Sequence, residues 1–280
     1  MIATQTFGLG KLLEGDLQEA VCKLQNLGFD GVEPYLLLNK KQGKMPPQLF
    51  AFDRMAQLKG ILDAKGMSIP SVHVGIGFGP LMMPTGMVIK NIKIAHEQFG
   101  IRYFVTSGMF SDAKGARKWA KVCRKISEAI KPLGCTMVYH NHDSELKNIS
   151  VDGRTVSALD YFLELAGPDV MLQIDIGWAA LHTDEVEVVK KYSDRLVSIH
   201  LKDMYDGCRD YIAQTMPTEE FAPIGEGVVK TAQVLALLDQ LPLAEGRLII
   251  DQDKSARDML KDLEIGCKNV RTMLNAEILR

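Results

Sequence analysis

No apolar run in this 280-residue chain reaches the roughly 20 residues needed to cross a bilayer, so a membrane-embedded protein is not expected. The amino terminus, reading MIATQ, has neither a basic stretch nor a long apolar core, so a secretory leader is not expected either. Five cysteines (Cys22, Cys123, Cys135, Cys208 and Cys267) are too scattered to form a metal or redox motif. An odd, dispersed set of this kind points to reduced thiols and a cytoplasmic setting. Charge of one sign is also missing. Thirty-three basic residues face 35 acidic ones for a net charge of −2, with no basic face for nucleic acid. No glycine-rich phosphate fingerprint follows any strand-like segment, which argues against a dinucleotide-binding fold.

What is present is regular alternation. Segments 2–7, 29–35, 69–74, 103–106, 136–140, 171–175, 197–201 and 247–251 are short, β-branched or aromatic and bounded by turn residues, so they read as strands. Between them, 17–27, 49–64, 88–99, 112–130, 155–165, 185–192, 230–241 and 256–279 carry apolar residues at helical spacing. Asp16 stands three residues before Glu19 as a helix-starting pair. Gly28, Gly66, Gly100, Gly134 and Gly167 end successive helices at intervals of 38, 34, 34 and 33 residues. A helical repeat array has a similar period, but each of these glycines is followed within a few residues by a strand. Eight βα units in a chain of this length predict an α/β fold, a (β/α)8 TIM barrel spanning 1–280 as a single domain without a linker. Two long irregular stretches, 75–86 and 204–227, are expected to serve as lids or partner surfaces.

In such a barrel, chemistry sits at the C-terminal ends of the strands. The polar residues follow that rule. Glu33 lies near the end of the second strand and His73 near the end of the third. The run from Met137 to Glu145 (MVYHNHDSE) places His140, His142 and Glu145 at the end of the fifth. Asp175, then His200, then Asp251 with Asp253 close the sixth, seventh and eighth. Imidazoles and carboxylates converging this way suit a mixed nitrogen and oxygen metal site, and spacing alone does not choose among Mn²⁺, Zn²⁺, Fe²⁺, Co²⁺ and Mg²⁺. The competing reading is a buried hydrogen-bond network across the barrel mouth. Acids crowded there repel one another unless a cation or proton intervenes.

Five motifs in order along the chain carry a family resemblance: GFDGVE (28–33), YHNHDSE (139–145), DIG (175–177), HLKD (200–203) and PIGEG (223–227). Together they resemble the xylose isomerase-like TIM barrel family, the sugar phosphate isomerase/epimerase group. The His-Asn-His-Asp-x-Glu motif resembles a branch with inosose dehydratase-like and C-glycoside deglycosidase-like members. The resemblance implies one divalent ion, with Mn²⁺ ranked first and Zn²⁺, Co²⁺, Fe²⁺ or Mg²⁺ open. Its implied ligands are Glu145, Asp175, His200 and Asp251, with His140 as the alternative on strand five. His142 and His140 are the implied proton carriers, and Lys202 is placed to hold an oxyanion or a phosphate. His73, Glu33, Trp178 and Asp253 are implied substrate contacts.

Two departures stand out. Asp251 replaces a glutamate common in the family, and Trp178 stands where epimerases often carry a histidine, which suggests a wall for stacking a sugar or aromatic ring. The implied activity is enolisation beside the carbonyl of an unphosphorylated keto sugar, cyclitol or keto-glycoside. It would lead to isomerisation or epimerisation, or alternatively to β-elimination by a lyase. A non-catalytic sugar-binding barrel is the reading from another class. The expected partner is a small sugar or glycoside, with no nucleic acid and no membrane. A homo-oligomer or a complex with a small accessory subunit is left open.

Overall fold

The structure is a computed structural model, and it describes residues 1–38, 40–76, 84–241, 243 and 247–278. Among the described residues eight parallel strands form the wall of the barrel. They are β1 (Ile2–Gln5), β2 (Gly31–Glu33, resuming beyond Pro34 as Tyr35–Leu36), β3 (Val72–Val74) and β4 (Tyr103–Thr106). β5 (Thr136–His140), β6 (Val170–Asp175), β7 (Leu196–Leu201) and β8 (Leu248–Ile250) complete the set. Neighbours in sequence are neighbours in space, and β1 pairs with β8, Ile2 opposite Leu248. The ring closes at β2. Proline has no N–H for a ladder, so Pro34 splits the strand: its first half pairs with β1 and its second with β3.

The intervening helices are α1 (Leu17–Asn26), α2 (Phe52–Ala64), α3 (Thr85–Phe99), α4 (Ala113–Ile130), α5 (Ala158–Ala166), α6 (Glu185–Lys191), α7 (Thr231–Leu235) and α8 (Met259–Ile278). Their boundaries have local causes. Asp16 accepts the Glu19 N–H at 2.8 Å at the start of α1, and Asp112 does the same for Gly115 at 2.6 Å at the start of α4. The five rhythmic glycines all take positive φ, between 67° and 96°, which lets the chain leave each helix without a Cβ clash. On α4 the residues Ala116, Trp119, Cys123, Ile126 and Ile130 are buried at helical spacing, fixing the face that meets the barrel. Each such large side chain contributes roughly 1.5–3 kcal/mol on burial, so a charge at Ile126 would break the contact.

Strand period places the chemistry. Side chains at i and i+2 share one face of a strand. Gln173 and Asp175, Ser198 and His200, and Ser71 and His73 therefore point into the barrel, while Leu172, Ile174, Ile199 and Leu201 face the helices. At the same C-terminal level, Asp175 is in register with His200 on the next strand, and Gln173 with His140 on the one before.

Several expectations need correction. The helix expected over 155–165 starts later. Its first residues belong to an antiparallel hairpin, Asn148–Val151 with Arg154–Ser157. The turn residues Asp152 and Gly153 have φ of 50° and 76°, the two positive values of a type I′ turn, and Ser157 then caps α5. The stretch 204–227 is packed rather than loose. Asp203–Met204 pairs with Phe221–Ala222, and Met204, Cys208, Met216 and Phe221 build a second small core with Trp178 and Leu181. The Asp203 carboxylate accepts the N–H groups of Met204, Gly225, Gly227 and Val229, which ties the HLKD motif to PIGEG. A Cβ on Gly227 would meet the Asp203 carboxylate at 2.2 Å, so that position admits only glycine. The other expected lid, 75–86, falls for 77–83 outside the described residues. No helix among the described residues is long and apolar enough to cross a membrane.

Candidate metal centre

The strand ends bring His140, Asp175, His200 and Asp251 together, each buried, with one donor atom apiece lying within 4.8 Å of the others. His73, His140 and His200 also meet within that distance. The supporting hydrogen bonds decide which nitrogens are free. The Gln173 side-chain N–H₂ donates to Glu33 at 2.8 Å and Ser198 at 3.0 Å, so its oxygen faces His73 Nε2 at 2.9 Å and His140 Nδ1 at 3.0 Å. Both imidazoles must donate there. His140 therefore carries its proton on Nδ1 and turns the Nε2 lone pair toward Asp175 Oδ2, 3.9 Å away. Burial, reinforced by His200, holds His140 well below the ordinary histidine range, so it is neutral.

Behind His200 stands Glu33. Its carboxylate lies 2.7 Å from His200 Nε2 and also accepts from Ser71, Gln173, Gln5 and His73. His200 Nδ1 lies 3.0 Å from Asp251 Oδ2. Burial opposes charging this ring, but the carboxylates of Glu33 and Asp251 outweigh it and push its pKa up to about 10. Giving up the Nδ1 proton would leave Nε2–H donating to Glu33, the carboxylate–histidine pairing that orients metal-binding imidazoles. Glu33 itself is fully buried with both oxygens engaged. The structure thus places it as a positioning residue behind the ring, not at the mouth where a substrate contact was expected.

Lys202 supplies a resident positive charge. Its Nζ is 2.5 Å from Asp253 Oδ2, 2.8 Å from Asp251 Oδ2 and 3.4 Å from Asp175 Oδ2, and it sits 4.6 Å over the Trp178 ring. Burial would favour loss of the proton, but the three carboxylates win and raise its pKa, so it stays an ammonium. Four carboxylates (Glu33, Asp175, Asp251, Asp253) therefore face two cations. The acids divide: burial is outweighed at Glu33 by His73 and His200, and at Asp251 by Lys202 and His200, which hold both carboxyls well below the usual carboxylate range. Burial pushes Asp175 up, and burial with repulsion from Asp251 takes Asp253 to about 6.

These residues fit a divalent ion. Asp175 Oδ2 and Asp251 Oδ1 are buried without a hydrogen-bond partner. Asp251 Oδ1 is left without a partner and Asp175 Oδ2 has only the Lys202 ammonium at 3.4 Å; such buried oxygens are costly, and a second cation beside Lys202 would lower that cost. Donors around an ion at ~2.1 Å stand at most ~4.2 Å apart, so a set within 4.8 Å needs little rearrangement. The mixed His and Asp donors suit a borderline ion.

Other expected site residues fall differently. Glu145, ranked first as the strand-five ligand, is not brought into the cluster. Its Oε1 accepts from Tyr139 Oη at 2.7 Å and Met109 N–H at 2.9 Å, and its Oε2 from Ser144 Oγ at 2.8 Å and His142 N–H at 3.2 Å. The strand-five member of the cluster is His140 instead, because β5 points 140 into the barrel while 145 lies in the turn Ser144–Leu146 past its end. His142 is half-buried against Trp178, with Nδ1 making no hydrogen bond, and burial together with Lys202 lowers its pKa to about 3. Trp178 is 4% exposed and packs on Phe221 and beneath Lys202, so it is not an open stacking wall. His73 is buried but lines the cavity beside the cluster. Residues not anticipated are Gln173, Ser198 and Ser71, each two positions before a charged or imidazole strand end, and Asn141, whose Oδ1 accepts the Asp175 N–H at 3.0 Å. Polar residues at that spacing in apolar strands were the available signal.

A sequence model for the xylose isomerase-like TIM barrel matches residues 21–266. No curated protein sequence matches the chain. Among solved structures, a sugar phosphate isomerase/epimerase from Parabacteroides distasonis superposes with a TM-score of 0.76 at 19% identity, covering 98% of this chain and 94% of its own. A probable 3-DHS dehydratase involved in petrobactin synthesis from Bacillus anthracis gives 0.68 at 13% identity, covering 96% and 98%. A xylose isomerase-like TIM barrel protein from Mycobacterium smegmatis in complex with magnesium gives 0.64 at 15%, covering 99% and 97%. At these identities the likeness establishes the barrel.

Proposed function

The chain belongs to the xylose isomerase-like TIM barrel family, and on that premise we propose that it is a divalent-metal-dependent enzyme that enolises a keto sugar, cyclitol or keto-glycoside beside its carbonyl. The observation that carries this is the convergence of His140, Asp175, His200 and Asp251, all buried, with donor atoms within 4.8 Å of one another and with two carboxylate oxygens, Asp175 Oδ2 and Asp251 Oδ1, that make no hydrogen bond. Those four side chains would hold the ion, ranked as Mn²⁺ first. When bound, it supplies Lewis acidity to a carbonyl and its neighbouring hydroxyl, lowering the pKa of the C–H between them.

The chain's own groups do the rest. Glu33 and Gln173 fix the tautomers of His200 and His140, so both rings are oriented before substrate arrives. Lys202, permanently charged, is buried among Asp175, Asp251 and Asp253 and offsets their negative charge beside the cluster. Asp253, with a pKa of about 6 and a side chain 20% exposed, is mostly ionised at neutrality but close enough to its pKa to take up and release a proton. His142, neutral and with Nδ1 making no hydrogen bond, is the second proton carrier. Return of the proton to either carbon gives epimerisation or isomerisation. The isomerase/epimerase title of the Parabacteroides neighbour supports that outcome.

A second reading is β-elimination, in which a protonated Asp253, whose pKa is about 6, would give its proton to the departing oxygen. The dehydratase named among the neighbours supports it. The dispersed reduced thiols support a cytoplasmic setting. Metal analysis of the purified protein tests the assignment. One equivalent of divalent ion, lost in Asp175→Asn, is expected, and an equal content in that variant would contradict it.

A further inference from the structure

The chain leaving β7 does not turn directly into its helix. After Asp203–Met204 it runs out as a strap, 205–220, and returns through Phe221–Ala222. Its contacts trace the path. Gln214 Nε2 donates to Met109 Sδ at 3.4 Å in the loop after β4, and the Ala213 N–H donates to Asp143 Oδ1 at 3.3 Å after β5. Cys208, Met216 and Phe221 rest on Trp178 and Leu181 after β6. Lys254 Nζ, after β8, donates to the Met216 carbonyl at 2.8 Å. In a ring of eight strands β4 and β8 stand opposite one another, so a segment that touches both loops spans the mouth.

Beneath the strap the cluster is shut in. Asp175 and His200 are 0% exposed and Lys202 1%. The neighbouring cavity is lined by His73 but by none of His140, Asp175, His200 and Asp251. A sugar therefore reaches those donors only when part of the mouth moves. The strap is fastened unevenly. Its stem is tied by the Asp203 carboxylate, which accepts the N–H groups of Met204, Gly225, Gly227 and Val229, and by the Tyr205 N–H on the Glu220 carbonyl at 2.9 Å. Its tip hangs on a long N–H bond, an amide-to-sulfur contact and one lysine, and Arg209, Asp210, Ile212, Gln214 and Thr215 are exposed. Local opening begins where backbone is exposed and buried contacts are few. Asp143, itself 1% exposed, is the fixed side of that tip contact: its Oδ2 lies 3.1 Å from Lys147 Nζ and 3.5 Å from His182 Nε2, and Oδ1 is left for the strap.

We propose that 205–220 is a lid, hinged at the Asp203 stem and latched by Asp143, that lifts to admit a sugar to the cluster and closes over it. This rests on the reading that the cluster handles a sugar carbonyl. Closed, the lid keeps water from the buried acids and from Lys202, where charge interactions are then strongest. Open, it uncovers the Trp178 face on which the Lys202 ammonium sits, 4.6 Å above the ring.

Two measurements on the full-length protein test this. Amide hydrogen exchange read by mass spectrometry is expected to be at least about tenfold faster in 206–220 than in β5 to β7, and severalfold faster again in Asp143→Ala. The second uses the Met109→Cys, Gln214→Cys double variant, its two thiols joined by a reducible bis-thiosulfonate linker, with each single variant treated alike as the control for half-buried Cys22. Linked, the Mn²⁺-treated protein is expected to lose about nine-tenths or more of its solvent deuterium exchange into a keto sugar, and to regain it on reduction. Tip amides as protected as the strands and unmoved by Asp143→Ala overturn the proposal, and so does undiminished sugar exchange by the linked protein. The two readings separate. If neither the wild type nor the reduced variant exchanges a keto sugar, the enolisation fails, and the amide exchange alone decides the lid.

Discussion

Replacing Glu145 with glutamine separates a metal ligand from a structural carboxylate. Four donors converge on its two oxygens, Tyr139 Oη and Met109 N–H on one and Ser144 Oγ and His142 N–H on the other. Glutamine keeps one acceptor and turns an N–H₂ on the other pair, stranding two buried donors. At roughly 1–3 kcal/mol for each stranded donor, the loss is about 2–6 kcal/mol. The hydroxyl of either pair can rotate away while the backbone N–H cannot, which puts the value toward the lower half of that range. Urea titration followed by circular dichroism would read it as an earlier midpoint with an unchanged slope. Metal content, measured well below the transition, should stay at the wild-type level. A variant that unfolds at the wild-type midpoint but has lost its metal would refute the assignment of His140, rather than Glu145, to the strand-five ligand position.

Two further outcomes follow from the same charges. Lys202→Met removes the ammonium shared by Asp251, Asp253 and Asp175. Stripping one partner from a buried ion cluster costs about 3–5 kcal/mol, so the metal-free variant should unfold at markedly lower urea. Mn²⁺ should then stabilise the variant more than the wild type, and a smaller stabilisation would count against an ion bound among these acids. His200 gives the pH dependence. Its pKa is raised to about 10 in the fold from an ordinary value of ~6.5, so in metal-free protein its stabilising charge is fully present below about pH 6.5 and lost as pH rises toward 10. Metal uptake must displace the Nδ1 proton, so apparent affinity should climb by up to about tenfold per pH unit between about pH 7 and 9. Calorimetry in buffers of different ionisation enthalpy would count the proton, and none released would contradict ligation by His200.

The barrel was legible because its grammar is local. Gly28, Gly66, Gly100, Gly134 and Gly167 mark the helix ends, and the strand between each glycine and the next helix is short and β-branched. The hairpin at 148–157 was missed although Asp152 and Gly153 announce a type I′ turn, because the helical pattern from Ala158 was extended backwards through Thr155. Asp175, His200 and Asp251 were legible as strand ends. Glu145 was not, because a residue five positions past a strand can turn into the site or under it, and only the positions of Tyr139 and Met109 decide. The parts of Glu33 and Gln173 were equally hidden. Both act across the barrel on His200 and on His73 with His140, and such contacts leave no local pattern.

His140, Asp175, His200 and Asp251 are expected to hold one divalent ion that makes a substrate C–H exchangeable. The most direct measurement is proton NMR of a keto sugar in D₂O with the full-length protein, watching the signal beside the carbonyl. Washout is predicted with Mn²⁺-treated wild type, monitored after the paramagnetic ion has been removed from samples quenched in time. It is predicted to be absent after chelation and in Asp175→Asn. Washout at the same rate in all three samples would contradict the account.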